Sequence, residues 1–192
     1  MSDSFGRGKA ASMIKAIATA VFMIFGAGAA LAGGSVVISS GDSGGDPFSA
    51  SVSRGSTDQP IGRFKVFLSG LSGNIQSVKV GVNGARTGLS NLKLWFSTDN
   101  ALGSDTLLGT IPIDPGDGVE MTFSSFSQAM ANFTPYWFFV TADVAGNSTG
   151  EIRGAFGSGV ALTFNFGTYG AGGFLSTADV LLPVSLSAFE LD

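Results

Sequence analysis

The pattern of hydrophobic and polar residues changes once along the chain. Residues 13–34 form one long apolar run, MIKAIATAVFMIFGAGAALAGG. From Ser35 onward, short runs of β-branched and aromatic residues are interrupted about every eight to twelve residues by Gly, Ser, Asn, Asp or Pro. This second pattern predicts an all-β body, an antiparallel sandwich or barrel. The predicted strands are Ser35–Ser39, Phe48–Ser53, Ile61–Ser69, Ile75–Val82, Leu92–Thr98, Thr106–Ile113, Val119–Ser124, Pro135–Val144, Glu151–Phe156, Val160–Phe166 and Val180–Phe189.

Alternation along a strand assigns faces to several of these segments. Val78, Val80 and Val82 alternate with Lys79, so we expect the valines to point inward and the lysine toward water. Residues 136–140, YWFFV, are apolar at every position, which predicts a central strand or one covered on both faces.

Two tight turns and one short helix are predicted between the strands. Asn83-Gly84 and Asp117-Gly118 are dipeptides that tolerate the positive φ of hairpin turns. Residues 126–131 place apolar side chains at i, i+3 and i+4, which is the spacing of one helical face.

The apolar run has the layout of an export signal. Arg7 and Lys9 precede the run, and Lys15 lies near its start. Ala-Leu-Ala stands near its end, just before Gly33, which predicts cleavage between Ala32 and Gly33. Two alternatives stay open. The uncharged part of the run up to the predicted cleavage position, residues 16–32, is at the short end of what spans a bilayer, so it could be a retained membrane helix. A pilin-type leader cut after a glycine near the start would instead leave an apolar helix through which copies polymerise.

These segments give the predicted organisation of the chain. Residues 1–32 are a signal peptide or a retained apolar helix, residues 33–47 are an N-terminal strand with a Gly-rich linker, and residues 48–192 are the β-sandwich domain.

Residues 64–144 resemble an immunoglobulin-like or fibronectin-like β-sandwich module of bacterial cell-surface or appendage proteins. The stretches that carry the resemblance are SVKV at 77–80, LKLWFSTD at 92–99, DTLLG at 105–109 and YWFFV at 136–140. Residues 182–189, LPVSLSAF, are similar to a segment that precedes the sorting domain of some secreted bacterial surface proteins. The resemblance implies an immunoglobulin-like or jelly-roll-like sandwich that serves adhesion, scaffolding or assembly.

Composition argues against several kinds of chemistry. The chain has 192 residues, a net charge of -4 and no clustered basic residues, so a nucleic-acid partner is not expected. It contains no Cys and no His, which removes thiol catalysis, the usual zinc sites and the commonest general base. From this composition we expect a protein that is not an enzyme. The export signal and the acidic, sparsely charged body predict that it lies outside the cell or on its surface, with a membrane contact only if the N-terminal helix is retained.

Two groups of acidic residues are candidates for chemistry. Asp99, Asn100 and Asp105 follow a predicted strand, and their oxygen ligands would suit Ca²⁺, although no complete calcium loop is present. The loop at 42–46 offers two further aspartates. Residues 114–120 contain three acids that could suggest glycoside hydrolysis. In both groups the simpler expectation is that turn acids bond their own backbone or face solvent, and no other cofactor is expected.

Aromatic residues are candidates for a glycan site. Trp95, Trp137, Tyr136 and Tyr169 could stack on sugars, which would make the protein a carbohydrate-binding adhesin module. Because Trp95 is followed directly by Phe96, one of the two should face away from the core.

The ends of the body are candidates for self-association. A strand beyond a Gly-rich linker can complete its own sheet or pair with the open edge of a neighbouring copy. The second choice would build a filament, a pilus-like appendage or a surface layer. The residues predicted to form assembly strands are Ser35, Val36, Val37, Ile38, Val180, Leu182, Val184 and Leu186.

Overall fold

The computed structural model describes residues 34–39, 52–81, 84, 86–152, 160–170 and 180–181. The predicted signal peptide or helix, its cleavage position, the 42–46 loop and the tail beyond residue 181 lie outside the described residues, and with them Leu182, Val184 and Leu186. Every regular element within the described ranges is a β-strand. Within them, no helix is long and apolar enough to cross a membrane.

The strands follow the β-branched and aromatic runs of the sequence. Their bounds are β1 Ser35–Ser39, β2 Ser56–Ser69, β3 Gly73–Gly81, β4 Arg86–Ser97, β5 Thr106–Ile113, β6 Glu120–Phe123, β7 Gln128–Met130, β8 Pro135–Ile152, β9 Ala161–Phe164, β10 Gly167–Gly170 and β11 Val180–Leu181.

These strands form two antiparallel sheets. The first sheet has the order β1-β2-β8-β4-β5, and β11 pairs with the far end of β8. The second sheet has the order β10-β9-β3-β6, and β7 also pairs with β3. The apolar segment at 136–140 lies in β8, at the centre of the first sheet, as its pattern predicted.

One hydrophobic core takes side chains from both sheets. Phe64 of β2 and Phe138 of β8 stack there with ring centroids 4.9 Å apart, and the second sheet supplies Ile75, Val78 and Leu162. Because a single cluster draws on both sheets, burial of these side chains holds the two sheets together. The inward direction predicted for Val78 and Val80 is confirmed, and Lys79 is half exposed. Val82 lies outside the described residues.

The predicted helix at residues 126–131 is wrong. Residues Gln128–Met130 are β7, which pairs with Gly73–Ile75 of β3 and buries Met130 in the core. A segment this short makes too few helical hydrogen bonds to be stable alone. Pairing beside β3 satisfies its backbone and also buries its methionine.

The N-terminal strand lies on its own sheet. β1 pairs with the second half of β2, with Val36 opposite Leu68 and Ile38 opposite Val66. Val36 and Ile38 pack against the core, whereas Val37 points away from it and is 44% exposed. Just before β1, a Cβ at Gly34 would stand 2.3 Å from Cγ of Leu71, so a side chain there would require Leu71 to move.

Candidate functional site: the outer face and edges of the first sheet

The face of the first sheet that points away from the core carries aromatic and cationic side chains side by side. We call it the outer face and define it by residues of its three central strands: Arg63, Lys65, Phe67, Lys93, Trp95, Ser97, Trp137, Phe139 and Thr141. None of these residues belongs to the core cluster. Strand pairing aligns them in rows, one of them Lys65, Trp137 and Ser97 and the next Arg63, Phe139 and Trp95.

Two aromatic rings of the outer face are nearly as buried as the core. Phe139 is 2% exposed and Trp137 is 9% exposed. Trp95 is half buried, and Phe96, its neighbour in the chain, is in the core. The prediction that one of this pair faces outward is therefore confirmed, and Trp95 is the one.

The two indole N–H groups of the outer face differ in their hydrogen bonding. Nε1 of Trp95 donates to Oγ1 of Thr141 at 2.9 Å. Nε1 of Trp137 is buried and has no acceptor in the described part of the chain. A buried donor without an acceptor costs roughly 1–3 kcal/mol, so Trp137 is an exception to the usual pairing of buried polar groups.

Three cations share this surface in a chain with only 10 Lys and Arg residues. Nζ of Lys65 stands 5.4 Å from the ring centroid of Trp137, a cation–π geometry. A guanidinium nitrogen of Arg63 donates to Oδ1 of Asn100. Lys93 is paired with Asp58. Of these three, the Lys65 ammonium has no carboxylate within salt-bridge distance in the described residues.

The two predicted tyrosines of a glycan site lie elsewhere. Tyr136 stacks on Phe96 in the core, and its hydroxyl accepts the Ala131 N–H at 3.0 Å. Tyr169 of β10 packs against Phe164 of β9 and against Phe166 in the turn that joins β9 to β10. Of the four aromatic candidates, only Trp95 and Trp137 share one surface.

Two of the three predicted calcium ligands bond their own loop. Oδ1 of Asp99 accepts the Ala101 N–H at 2.9 Å, and Asp105 accepts the Gly103 N–H at 2.8 Å. Asn100 accepts from Arg63. Within the described ranges no three acidic side chains come together in a way that could hold a metal ion.

The three acids of residues 114–120 bind three different partners. Asp114 accepts two hydrogen bonds from the buried Arg86, at 2.7 and 2.8 Å. Asp117 accepts the Gly84 N–H at 2.7 Å, which joins the two predicted turns, and Glu120 pairs with Lys79. Each carboxylate thus holds a turn or a strand pair, and these three do not form the facing pair that glycoside hydrolysis uses.

The sequence did not single out Asp143, which ties three strands together. Its carboxylate accepts the Asp58 backbone N–H at 3.0 Å and the Asn91 side-chain amide at 2.8 Å. Asp58 and Asn91 both have positive φ and stand where β2 and β4 are irregular against β8. Burial alone would raise the pKa of Asp143, but these two hydrogen bonds and the charge of Lys93 together lower it below its usual value. The irregular pairing of β2 and β4 with β8 brings these polar groups together. The alternation of polar and apolar residues along each strand does not reveal where the pairing becomes irregular, so the sequence did not point to Asp143.

The two edges of the first sheet carry no charged residue. β1 reads SVVIS and β5 reads TLLGTIPI. Large apolar side chains are exposed on both, namely Val37, Leu107 at 46% and Ile113 at 76%. Natural edge strands commonly carry lysine or another charge that discourages pairing with a second chain, so these two edges are unusually open to it.

Comparison of the chain with protein-family models, curated proteins and solved structures found no match.

Proposed function

We propose that this protein is a secreted, non-catalytic structural subunit that polymerises outside the cell by placing β1 in the first sheet of a neighbouring copy. The position of β1 carries the proposal. It is a short, uncharged edge strand whose two inward side chains pack against the core. The β1 strand of a second chain could pack at the same place.

The connection between β1 and β2 leaves this exchange possible. Ser39 stands opposite Lys65 and β2 begins at Ser56, so the two ends that residues 40–55 connect lie roughly 30 Å apart at the rise of a strand. An extended chain of that length could reach roughly 55 Å. A two-residue hairpin would be too short to let β1 leave its own sheet, whereas a connection of this length could also span to the sheet of a neighbouring copy.

The strand order supports an immunoglobulin-like sandwich as the body of the subunit. That fold has strands A-B-E-D in one sheet and C-F-G in the other. Here β1-β2-β8-β4 and β3-β9-β10 follow the same spatial and chain order. β5, β6 and β7 come between the strands equivalent to D and E, where they extend the sheets. Modules of this architecture commonly serve as building blocks of surface proteins, which agrees with the resemblance found in the sequence.

Export is the second part of the proposal and rests on the sequence. The basic start, the apolar run and the Ala-Leu-Ala ending predict that cleavage leaves Gly33 as the first residue. Ser35 would then lie two residues from a free end. A strand at a free end can leave one sheet and enter another without threading the rest of the chain.

Cysteine cross-linking tests the exchange directly, because the chain has no cysteine of its own. Val37 and Phe67 are direct cross-strand partners. Chains carrying only Val37→Cys are mixed with chains carrying only Phe67→Cys, and the mixture is oxidised under polymerising conditions. We expect heterodimers on a non-reducing gel, since the two sulfurs can meet only when β1 of one copy pairs with β2 of another.

The matched control mixes Val37→Cys chains with chains carrying Thr168→Cys, whose cysteine lies on β10 of the second sheet. That pair should stay largely uncrosslinked. Polymers that form without the Val37–Phe67 cross-link would overturn assembly through β1 and favour a retained N-terminal helix instead. A wild-type protein that stays monomeric at high concentration would overturn assembly altogether.

A further inference from the structure

We propose that the outward edge of β1 is a self-complementary surface, which pairs with the same edge of a second copy about a two-fold axis at Val37. This pairing joins the first sheets of the two copies into one continuous sheet. It differs from strand exchange, because β1 presents the same edge whether it lies on its own sheet or on that of a neighbour. In a polymer built by exchange, it joins two polymers side by side.

The sequence of β1 is the first reason to expect self-pairing. The strand reads SVVIS, which has nearly the same residues in either direction. Antiparallel pairing centred on Val37 puts Ser35 opposite Ser39 of the second copy, and Val36 opposite Ile38. Each residue then meets one of like polarity on the same face, so the apolar faces of the two sheets continue into each other.

The exposure of Val37 is the second reason. Val37 stands opposite Phe67 on the outer face and is 44% exposed. Phe67 in turn contacts Phe133, which is 65% exposed. At the two-fold axis the Val37 side chains of the two copies cover each other, which extends this exposed apolar surface into the second copy and removes part of it from water.

Charge does not oppose the contact. β1 itself carries no charged residue, and Lys65 lies one strand further in, opposite Ser39. The two-fold axis places the Lys65 residues of the two copies at opposite ends of the paired strands, roughly 20 Å apart. Since this separation is about twice the screening length in physiological salt, their repulsion is small.

The opposite edge of the first sheet suits self-pairing less well. β5 contains Pro112, which has no N–H to donate, and its pairing with β4 is irregular at Leu94 and Trp95. Edge prolines and bulges are features that discourage pairing with a second chain. Of these two edges, β1 is therefore the one assigned to the contact.

The size of the contact sets its strength. Two strands of five residues make about four to six backbone hydrogen bonds and bury less than the roughly 1,200 Å² of a stable interface. A single contact is therefore weak, with a Kd of roughly 0.1–1 mM. A polymer repeats β1 at every subunit, so such contacts gain strength when several form between the same two polymers.

Opposite charges introduced at Val37 test the two-fold pairing. Val37→Lys alone puts two ammonium groups opposite each other at the axis, and Val37→Glu alone puts two carboxylates there. Each variant should associate roughly fivefold more weakly than the wild type. An equal mixture of the two should recover the association, because each ammonium then faces a carboxylate. Sedimentation equilibrium up to about 1 mM protein, under conditions where strand exchange does not build polymers, measures all four samples.

Ile113→Lys is the matched control, since it adds the same charge at an exposed residue of β5. It should associate like the wild type. The Val37 variants should melt within a few degrees of the wild type because Val37 points away from the core. No dimer in the wild type, wild-type association in both Val37 variants, no recovery in their mixture, or lost association in Ile113→Lys would each overturn the proposal.

This proposal and strand exchange can fail separately. In the cysteine mixtures described above, edge pairing joins two Val37→Cys chains, whereas exchange joins a Val37→Cys chain to a Phe67→Cys chain. The two products differ in mass. Polymers of Val37→Lys should still form by exchange, and electron microscopy should show them as single polymers where the wild type forms pairs.

Discussion

Arg86 and Asp114 show how a single residue pair can organise two loops. The Arg86 side chain is 1% exposed and its guanidinium makes a two-pronged contact with Asp114, while further N–H groups donate to the Gly84 and Gly116 carbonyls. A buried ion pair of this kind is stable only when the remaining donors are also satisfied, and here the turns supply those acceptors.

Removing one partner of this pair should therefore be costly. We expect Asp114→Asn or Arg86→Met to lower the free energy of unfolding by roughly 3–5 kcal/mol, because a buried charge loses its partner. Urea denaturation measures the change. The half-exposed pair Lys79–Glu120 is the matched comparison, and Lys79→Met should cost no more than about 1 kcal/mol. Similar losses in the two pairs would contradict the importance given to burial.

Residue identity alone revealed part of this chemistry. Gly84 and Gly118 were predicted from turn preferences, and both do have positive φ. The predicted hairpins are wrong, because β3 and β4, and likewise β5 and β6, lie in different sheets. The sequence did not predict that Asp114 binds Arg86 or that Asp117 accepts the Gly84 N–H. Both contacts form because the two loops lie next to each other in the folded chain. A local sequence pattern carries no information on contacts between segments so far apart in the chain.

At the scale of elements, Asp143 joins β8 to irregular positions in β2 and β4. The pKa of its carboxyl is lowered in the folded protein, while in the unfolded chain it has an ordinary value near 3.9. The stabilisation that this shift provides is complete above the unfolded pKa. It is lost as the pH falls through the lowered folded value.

Asp143→Asn should show this dependence. We expect the variant to be less stable than the wild type at neutral pH, with the difference between them shrinking as the pH falls below about 4. Urea midpoints measured from pH 7 to the acid limit of folding would give the comparison. A difference that stays constant over that range would mean that Asp143 acts through packing and not through its charge.

The same scale explains which elements the sequence could predict. Runs of β-branched and apolar residues predicted β1 and β5 with their observed bounds. Side chains of a strand alternate between its two faces, so burial of one face gives the sequence a matching two-residue period. β7 was missed because three residues are too few to show a period. Its structure is set by the open position beside β3, which is a tertiary effect.

At the scale of the whole molecule, the length of the connection between β1 and β2 governs where β1 can pair. Deleting residues 40–49 would leave a connection that spans at most about 25 Å, short of the roughly 30 Å back along β2. β1 could then no longer reach its own sheet, but it could still pair with a neighbouring copy.

We therefore expect this deletion to shift the equilibrium between monomer and polymer further toward polymer than in the wild type. Size-exclusion chromatography with light scattering over a range of concentrations would measure the shift. A deletion variant that folds and stays monomeric would argue against β1 as the assembly strand.

The all-β class and the central place of β8 were predicted from composition and pattern, but strand order depends on which long-range pairings bury the most apolar surface.

The two tryptophans of the chain both lie on the outer face of the first sheet, whereas the core is filled largely by phenylalanine and aliphatic side chains. Indole dominates the near-ultraviolet emission of a protein. The intrinsic fluorescence of this molecule is therefore a signal from one surface, and a wavelength shift or quenching would report events there without a label.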